Sequence, residues 1–269
     1  MHKSSLEELQ NTHSNKINTI ARFAKQGLRK VPEVTVYFWI VKLLTTAMGE
    51  ATSDFLVTSI DPYIAVALGG IGLLVALILQ LSVRRYVAWI YWFAVVMVAI
   101  VGTMAADVIH VVVGISYVTS AVFFSVALAV IFIAWYACEK TLSIHSITTL
   151  RRELFYWATV MATFALGTAV GDLTAATLHL GYLASGVLFA VLFAAPALAY
   201  RLFGLNEIVA FWLAYIVTRP LGASFADWFG KSALDGLGLG DTKVAVILTI
   251  LIVGFVAYLS STRKDSKNE

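Results

Sequence analysis

The sequence predicts an all-α integral membrane protein with eight transmembrane helices, built from four tandem two-helix hairpins in a pseudo-symmetric bundle. Three observations predict it. The chain is 60% hydrophobic and 13% charged, whereas an ordinary soluble domain is about 25% charged. Its apolar stretches reach the roughly 20 residues a helix needs to cross a hydrocarbon core. One frame also recurs four times: an aromatic residue and Trp, nine residues, Gly, three residues, a small residue, Asp. The copies read Trp39, Gly49, Ser53, Asp54; Trp92, Gly102, Ala106, Asp107; Trp157, Gly167, Gly171, Asp172; and Trp212, Gly222, Ala226, Asp227. Phe38, Tyr91, Tyr156 and Phe211 precede the tryptophans. Self-similarity at one spacing is the mark of a repeat architecture.

Residues 1–33 are polar and mixed in charge, and form a cytoplasmic tail in this reading. No apolar core follows the first basic residues, so no signal peptide is expected. Leu6, Leu9, Ile17, Ile20 and Phe23 would suit a short amphipathic surface helix within 6–28, the alternative being a solvated tail. The membrane domain is expected over 34–262. Its crossings fall at about 34–59, 63–83, 87–114, 117–138, 152–179, 182–203, 206–229 and 243–262. The loop 139–151 divides it into halves 34–138 and 152–262, and 263–269 is a second cytoplasmic tail. The odd helices carry the motif. The even helices are plainer and hold small residues, such as Gly69, Gly70 and Gly72 in the second. Short turns after the first three motif helices lead to Tyr63, Tyr117 and Tyr182, placed where a hydroxyl can stay wet at the interface. The fourth copy has a longer Gly-rich connection, Gly230 to Asp241, and no matching Tyr.

Orientation follows from Lys and Arg. The N-terminal tail holds six of them. Arg84 and Arg85, then Lys140, Arg151 and Arg152, then Arg201, and finally Arg263, Lys264 and Lys267 fall on the same side. The opposite side has Lys231 and Lys243. The positive-inside rule therefore puts both termini in the cytoplasm, in a membrane of the bacterial inner type. The net charge of +3 comes from basic ends and loops and does not suggest nucleic-acid binding. The single cysteine, Cys138, can form no internal disulfide and is expected to fill space near a helix end.

Each motif Asp lies 15 residues after its Trp, a rise of about 22 Å. With Trp at the inner interface, the Asp residues fall in the outer third of a core about 30 Å thick. The Gly and the small residue form a small-xxx-small surface on the neighbouring flank, suited to close helix contact. A carboxylate within a membrane costs roughly 2.5–3.5 kcal/mol on insertion scales. Four at one depth suggest a shared polar site, with the side chains turned toward a common centre. Glu50, four residues before Asp54, lies on the same face and could share a proton or cation with it. Thr103, Thr168 and Ala223 take its place in the other copies, so the site is asymmetric. Pro220 is expected to kink or open its helix, and Arg219 to act as a fixed counter-charge for the carboxylates. Lys42, three residues past Trp39, is expected to snorkel to the interface. His110 and His179 stand at different offsets from their Asp, as interface residues rather than a matched ligand pair. The blander reading makes the Asp residues caps or helix-helix hydrogen-bonding groups.

The four-copy Gly-to-Asp pattern, eight helices and polar N-terminal tail resemble a family of bacterial multi-pass membrane proteins labelled only as membrane-anchored. The resemblance covers 34–262 and implies no chemistry, so the functional expectation rests on the Asp residues. That expectation is a secondary transporter, exporting a divalent cation through Asp54, Asp107, Asp172, Asp227 and Glu50. Oxygen ligands favour Mn²⁺ or Mg²⁺ over copper or zinc. Protons are the expected counter-ion, and membrane lipids the surroundings. A channel lies within the same class. The alternative is a structural or regulatory membrane protein whose Asp residues only set helix packing and partner binding. There is no phosphate-binding loop, nucleophile elbow or paired axial histidines, so neither an enzyme nor a cofactor is expected.

Overall fold

The computed structural model describes residues 29–265. The amphipathic segment considered over 6–28 lies outside the described residues, as does Lys267. Eight long helices follow one another: α1 Val36–Ser59, α2 Pro62–Ser82, α3 Ala88–Asp107, α4 Tyr117–Glu139, α5 Leu150–Asp172, α6 Gly181–Phe203, α7 Glu207–Gly230 and α8 Asp241–Thr262. Each lies within a few residues of its expected crossing. Local chemistry sets their ends. Thr35, Asp61, Ser116, Thr149 and Asn206 accept hydrogen bonds from the first free amides of α1, α2, α4, α5 and α7. Lys140, Gly204 and Arg263 end α4, α6 and α8 in the left-handed region. A π-helical turn follows α3 at Val108–Val112, and another follows α5 at Leu173–Thr177.

Among the described residues, seven helices, α2 to α8, are long and apolar enough to cross a membrane. Helix α1 has 24 residues and carries Lys42, Glu50 and Asp54 along its length. The motif helices are central. α5 is 72% buried over its most apolar window, whereas α2 and α4 are 22% buried.

The motif helices form a closed ring in which α1 packs on α3, α3 on α5, α5 on α7, and α7 on α1. The motif glycines set its register. A methyl on Gly49 would stand 3.0 Å from the carbonyl carbon of Ala99, and one on Gly102 would stand 2.7 Å from Phe164 Cβ. One on Gly167 would meet Arg219 and lie 2.8 Å from Pro220 Cδ, and one on Gly222 would meet Thr46 and lie 2.9 Å from the Ala47 amide nitrogen. Ala99, Phe164, Arg219 and Thr46 are each three residues before the motif glycine of their own helix. The same contact is thus made four times, each helix donating its glycine to the next.

The two-helix hairpin of the sequence repeat is not the main packing unit. Each flanking helix packs chiefly on the motif helix that follows it: α2 on α3, α4 on α5, α6 on α7, and α8 back on α1. The side chains explain the choice. Gly69 leaves room for Met104 and Val101 of α3, and Gly186 for Phe225 of α7. Phe124 and Leu128 of α4 cluster with Ala162, Ala165 and Ala169 of α5. Val244 and Ala245 of α8 cluster with Ala51 of α1.

At the end of the bundle where α1 begins, Lys30 Nζ pairs with Glu153 Oε2 at 2.5 Å, and Gln80 Nε2 donates to Glu153 Oε1 at 2.9 Å, all three buried. Tyr86 donates to Asp265 at 2.5 Å, and Val31 is buried. The last residues of the expected N-terminal tail are therefore packed rather than solvated. Cys138, expected to fill space, is exposed. Pro220 neither breaks nor opens α7, which is helical throughout; its ring lies against Gly167 instead.

The ring contact predicts that Gly222→Val lowers the unfolding temperature in detergent sharply, because its neighbours include backbone. Overpacking of this kind costs about 1–3 kcal/mol or more. Ala158→Leu, on the exposed side of α5, is expected to leave it unchanged. Equal melting of the two variants would remove the packing role of the glycine.

Candidate functional site

Closing the ring through the glycines turns one stripe of each motif helix to the axis. The stripes repeat every four residues: Phe38, Lys42, Thr46, Glu50, Asp54 on α1; Tyr91, Val95, Ala99, Thr103, Asp107 on α3; Tyr156, Val160, Phe164, Thr168, Asp172 on α5; and Phe211, Tyr215, Arg219, Ala223, Asp227 on α7. Side chains four apart share a helix face. All of these residues are buried except Asp54, Asp107 and Asp172, which are half-buried. The stripe therefore begins in aromatic rings and ends in four carboxylates.

The carboxylate end brings Glu50, Asp54 and Asp227 together, each offering an oxygen within 4.8 Å of the others. Lys231, one residue past α7, reaches into this group. Its Nζ lies 2.9 Å from Asp54 Oδ2 and 2.8 Å from Asp227 Oδ1, and 5.8 Å from the centre of the Tyr182 ring. Burial alone would push the Lys231 ammonium down, but Asp227, Asp54 and Glu50 outweigh it and hold its pKa well above the ordinary lysine range. A raised lysine keeps its contribution to stability across neutral pH, and loses it only above about pH 10.4. Asp107 and Asp172 are not in the close group, though they interact electrostatically with Glu50 and Asp54. Both stand where α3 and α5 pass into π-helical turns, a distortion frequent at functional sites.

One level deeper, Arg219 crosses the axis. Its Nη2 donates to Glu50 Oε2, to Thr103 Oγ1 and, at 2.8 Å, to Thr168 Oγ1, while Nη1 donates to the Thr46 carbonyl at 3.0 Å. Glu50, Thr103 and Thr168 are the Gly-plus-one residues of the other three motif helices. Arg219 is thus a counter-charge, as expected, but its carboxylate partner is Glu50. A fourth polar residue at position 223 would lie on its own helix, and Ala223 stands there.

Lys42 does not snorkel. Its side chain is 1% exposed, with Nζ 4.0 Å above the Phe164 ring centre and 4.1 Å above that of Tyr215. Trp39, three residues away, is half-buried, its ring packed on Phe193 and Phe211, while the Lys42 side chain turns to the axis instead. Below Lys42, the Tyr91 and Tyr156 hydroxyls are 2.5 Å apart. The histidines stay outside the carboxylate group. His110 Nδ1 donates to the Ile115 carbonyl at 2.7 Å, and its ring stacks on Tyr117. His179 is exposed with φ +56°.

Lys231 is the site residue that sequence reasoning missed as a partner. Its signal was present: it stands four residues after Asp227, the spacing of a helical ion pair.

The family described as Repeat of Unknown Function (DUF347) matches residues 37–86, 90–141, 155–204 and 210–265, and the chain belongs to it. Each match takes in one motif helix and the helix after it, in agreement with the four copies read from the sequence. No curated protein and no solved structure matches.

The Arg219–Glu50 pair yields a stability test. Arg219→Met strands a buried carboxylate, and is expected to destabilise by about 3–5 kcal/mol. Adding Glu50→Met should recover most of that loss, as buried pairs are often replaceable by apolar residues. Reversible unfolding in mixed micelles measures both, and a stable single variant would contradict the pairing.

Proposed function

We propose that this member of the DUF347 repeat family is a multi-pass protein of a bacterial inner membrane, with eight crossings and both termini cytoplasmic. In this reading it is a secondary transporter that exports Mn²⁺ or Mg²⁺ in exchange for protons. Seven helices of suitable length and apolarity support the membrane setting. The observation that carries the function is the convergence of Glu50, Asp54 and Asp227 at one end of a buried axis, with Asp107 and Asp172 at the same level of the stripe. All five offer oxygen, the ligand of hard divalent cations. Crowded carboxylates away from bulk water take up a proton or a metal ion in preference to bare mutual charge. A site built from them is thus suited to exchanging one for the other.

Two cations of the protein itself already sit among the carboxylates, Arg219 and Lys231. Arg219 is anchored by four hydrogen bonds. Lys231 is one-third exposed on a loop, so a metal ion entering the group displaces Lys231 rather than Arg219. The same pairs favour a second reading, in which the carboxylates only lock the helices together and the protein serves a partner subunit.

Substitution by Asn separates the two. Asn keeps size and hydrogen bonding, and typical helix-helix hydrogen bonds in membranes contribute only about 0.6 kcal/mol. A strain lacking the protein is expected to retain excess Mn²⁺, measured as whole-cell metal content. Wild type should restore it, whereas Asp54→Asn, Asp107→Asn, Asp172→Asn and Asp227→Asn at equal protein level should each lose at least about tenfold of that export. Full restoration by all four variants would leave the packing reading in place of transport.

A further inference from the structure

We propose that Lys42 is the residue that carries the proton exchanged against the divalent cation, an inference that rests on the transport reading above. Of the two cations on the stripes, Arg219 pairs with Glu50 and Lys42 has no anionic partner among the described residues. It makes no ion pair and no side-chain hydrogen bond, and its Nζ is held only between the faces of Phe164 and Tyr215. The equivalent positions on α3, α5 and α7 are Val95, Val160 and Tyr215, all fully buried, so Lys42 is the one charged residue at its level.

The surroundings set up a responsive amine. From α7, Arg219 and Tyr215 face it. From α5 it meets Phe164, and the α3 stripe offers Val95 and Ala99 at this level, with Tyr91 beneath. Helix α8 buries Ile252 and Val256 in the same core. The two rings favour the ammonium, while the dry setting and the Arg219 guanidinium oppose it. No carboxylate fixes the outcome. A charge arriving further along the axis therefore decides it.

The arithmetic is sufficient for coupling. Glu50 is eight residues beyond Lys42 on the same helix face, about 12 Å along the axis. An ion of charge +2 that displaces the Lys231 ammonium adds one net positive charge, which at that distance and an effective dielectric of about 20 lowers the proton affinity of Lys42 about tenfold. Metal binding therefore favours loss of the Nζ proton, the N–H electron pair staying on nitrogen, and metal release favours its return. The expelled proton goes to water at the end of the bundle where α1 begins. On that side of Lys42 lie the Tyr91 and Tyr156 hydroxyls, 2.5 Å apart, and, nearer the end, Tyr86 beside Asp265.

The test uses the full-length protein in sealed liposomes, with Mn²⁺ and proton fluxes recorded together. Wild type should move protons against Mn²⁺. Lys42→Met should still exchange isotopic Mn²⁺ at equal pH on both faces, and should move fewer protons per Mn²⁺ than wild type. Lys42→Arg keeps the charge and the ring contacts, and so serves if the Met variant does not fold. It should show the same loss, because arginine does not release its proton. An unchanged flux ratio in a folded variant overturns the inference and leaves transport standing, as does loss of Mn²⁺ exchange itself in both folded variants. A wild type that moves no Mn²⁺ defeats the transport reading and this inference with it.

Discussion

Everything in this structure depends on the approach of one helix to the next at the motif glycines. Lipid tails are as apolar as leucine, so no hydrophobic drive pulls two helices together inside a membrane, and close packing must do it. Gly49, Gly102, Gly167 and Gly222 each admit the neighbouring helix where a Cβ would collide with it. The contact is made at the same register four times and closes on itself when α7 meets α1. Closure at that register leaves no choice about what lines the axis, because the face beside the glycines repeats every four residues.

The axis that results is expensive. It holds Lys42, Arg219 and Glu50 at 3% exposure or less, and buried ions are retained only when hydrogen bonds or a function offset their desolvation. For Arg219 and Glu50 the offset is visible: the guanidinium reaches three other motif helices and bonds to each. This same bridging explains why the four copies differ. A strictly fourfold repeat would place four identical residues around the centre, and four arginines or four glutamates there would repel. The Gly-plus-one positions hold Glu50, Thr103, Thr168 and Ala223, and Arg219, three residues before its own glycine, serves the first three. Lys231 performs the corresponding service one level out, drawn from the connection that departs from the other three.

Much of this was legible in the sequence. The eight helices and the four copies follow from composition and spacing, and among the described residues seven of the helices have the length and apolarity that a hydrocarbon core requires. The burial of the motif face followed from Gly and Asp at one spacing. Other features depend on tertiary fit. That α2 packs on α3 rather than α1 turns on Gly69 facing Met104, a match between residues 35 positions apart. Lys42 was misplaced because nearness in sequence to Trp39 was taken for nearness to water, whereas Lys42 lies on the inward stripe and is buried although Trp39 itself is half-buried. The four-residue stripe of Lys42, Thr46, Glu50 and Asp54 was present in the sequence. It becomes meaningful once the glycine contact shows which face is inward.

The central claim is that the carboxylate group takes a divalent cation in place of Lys231. The most direct measurement is anomalous diffraction at the manganese edge from crystals of the protein grown with Mn²⁺. The account predicts an anomalous peak bounded by Glu50, Asp54 and Asp227, with Lys231 Nζ moved away from both Asp carboxylates. Lys231 still seated between Asp54 and Asp227, with no peak in the group at saturating Mn²⁺, would contradict it.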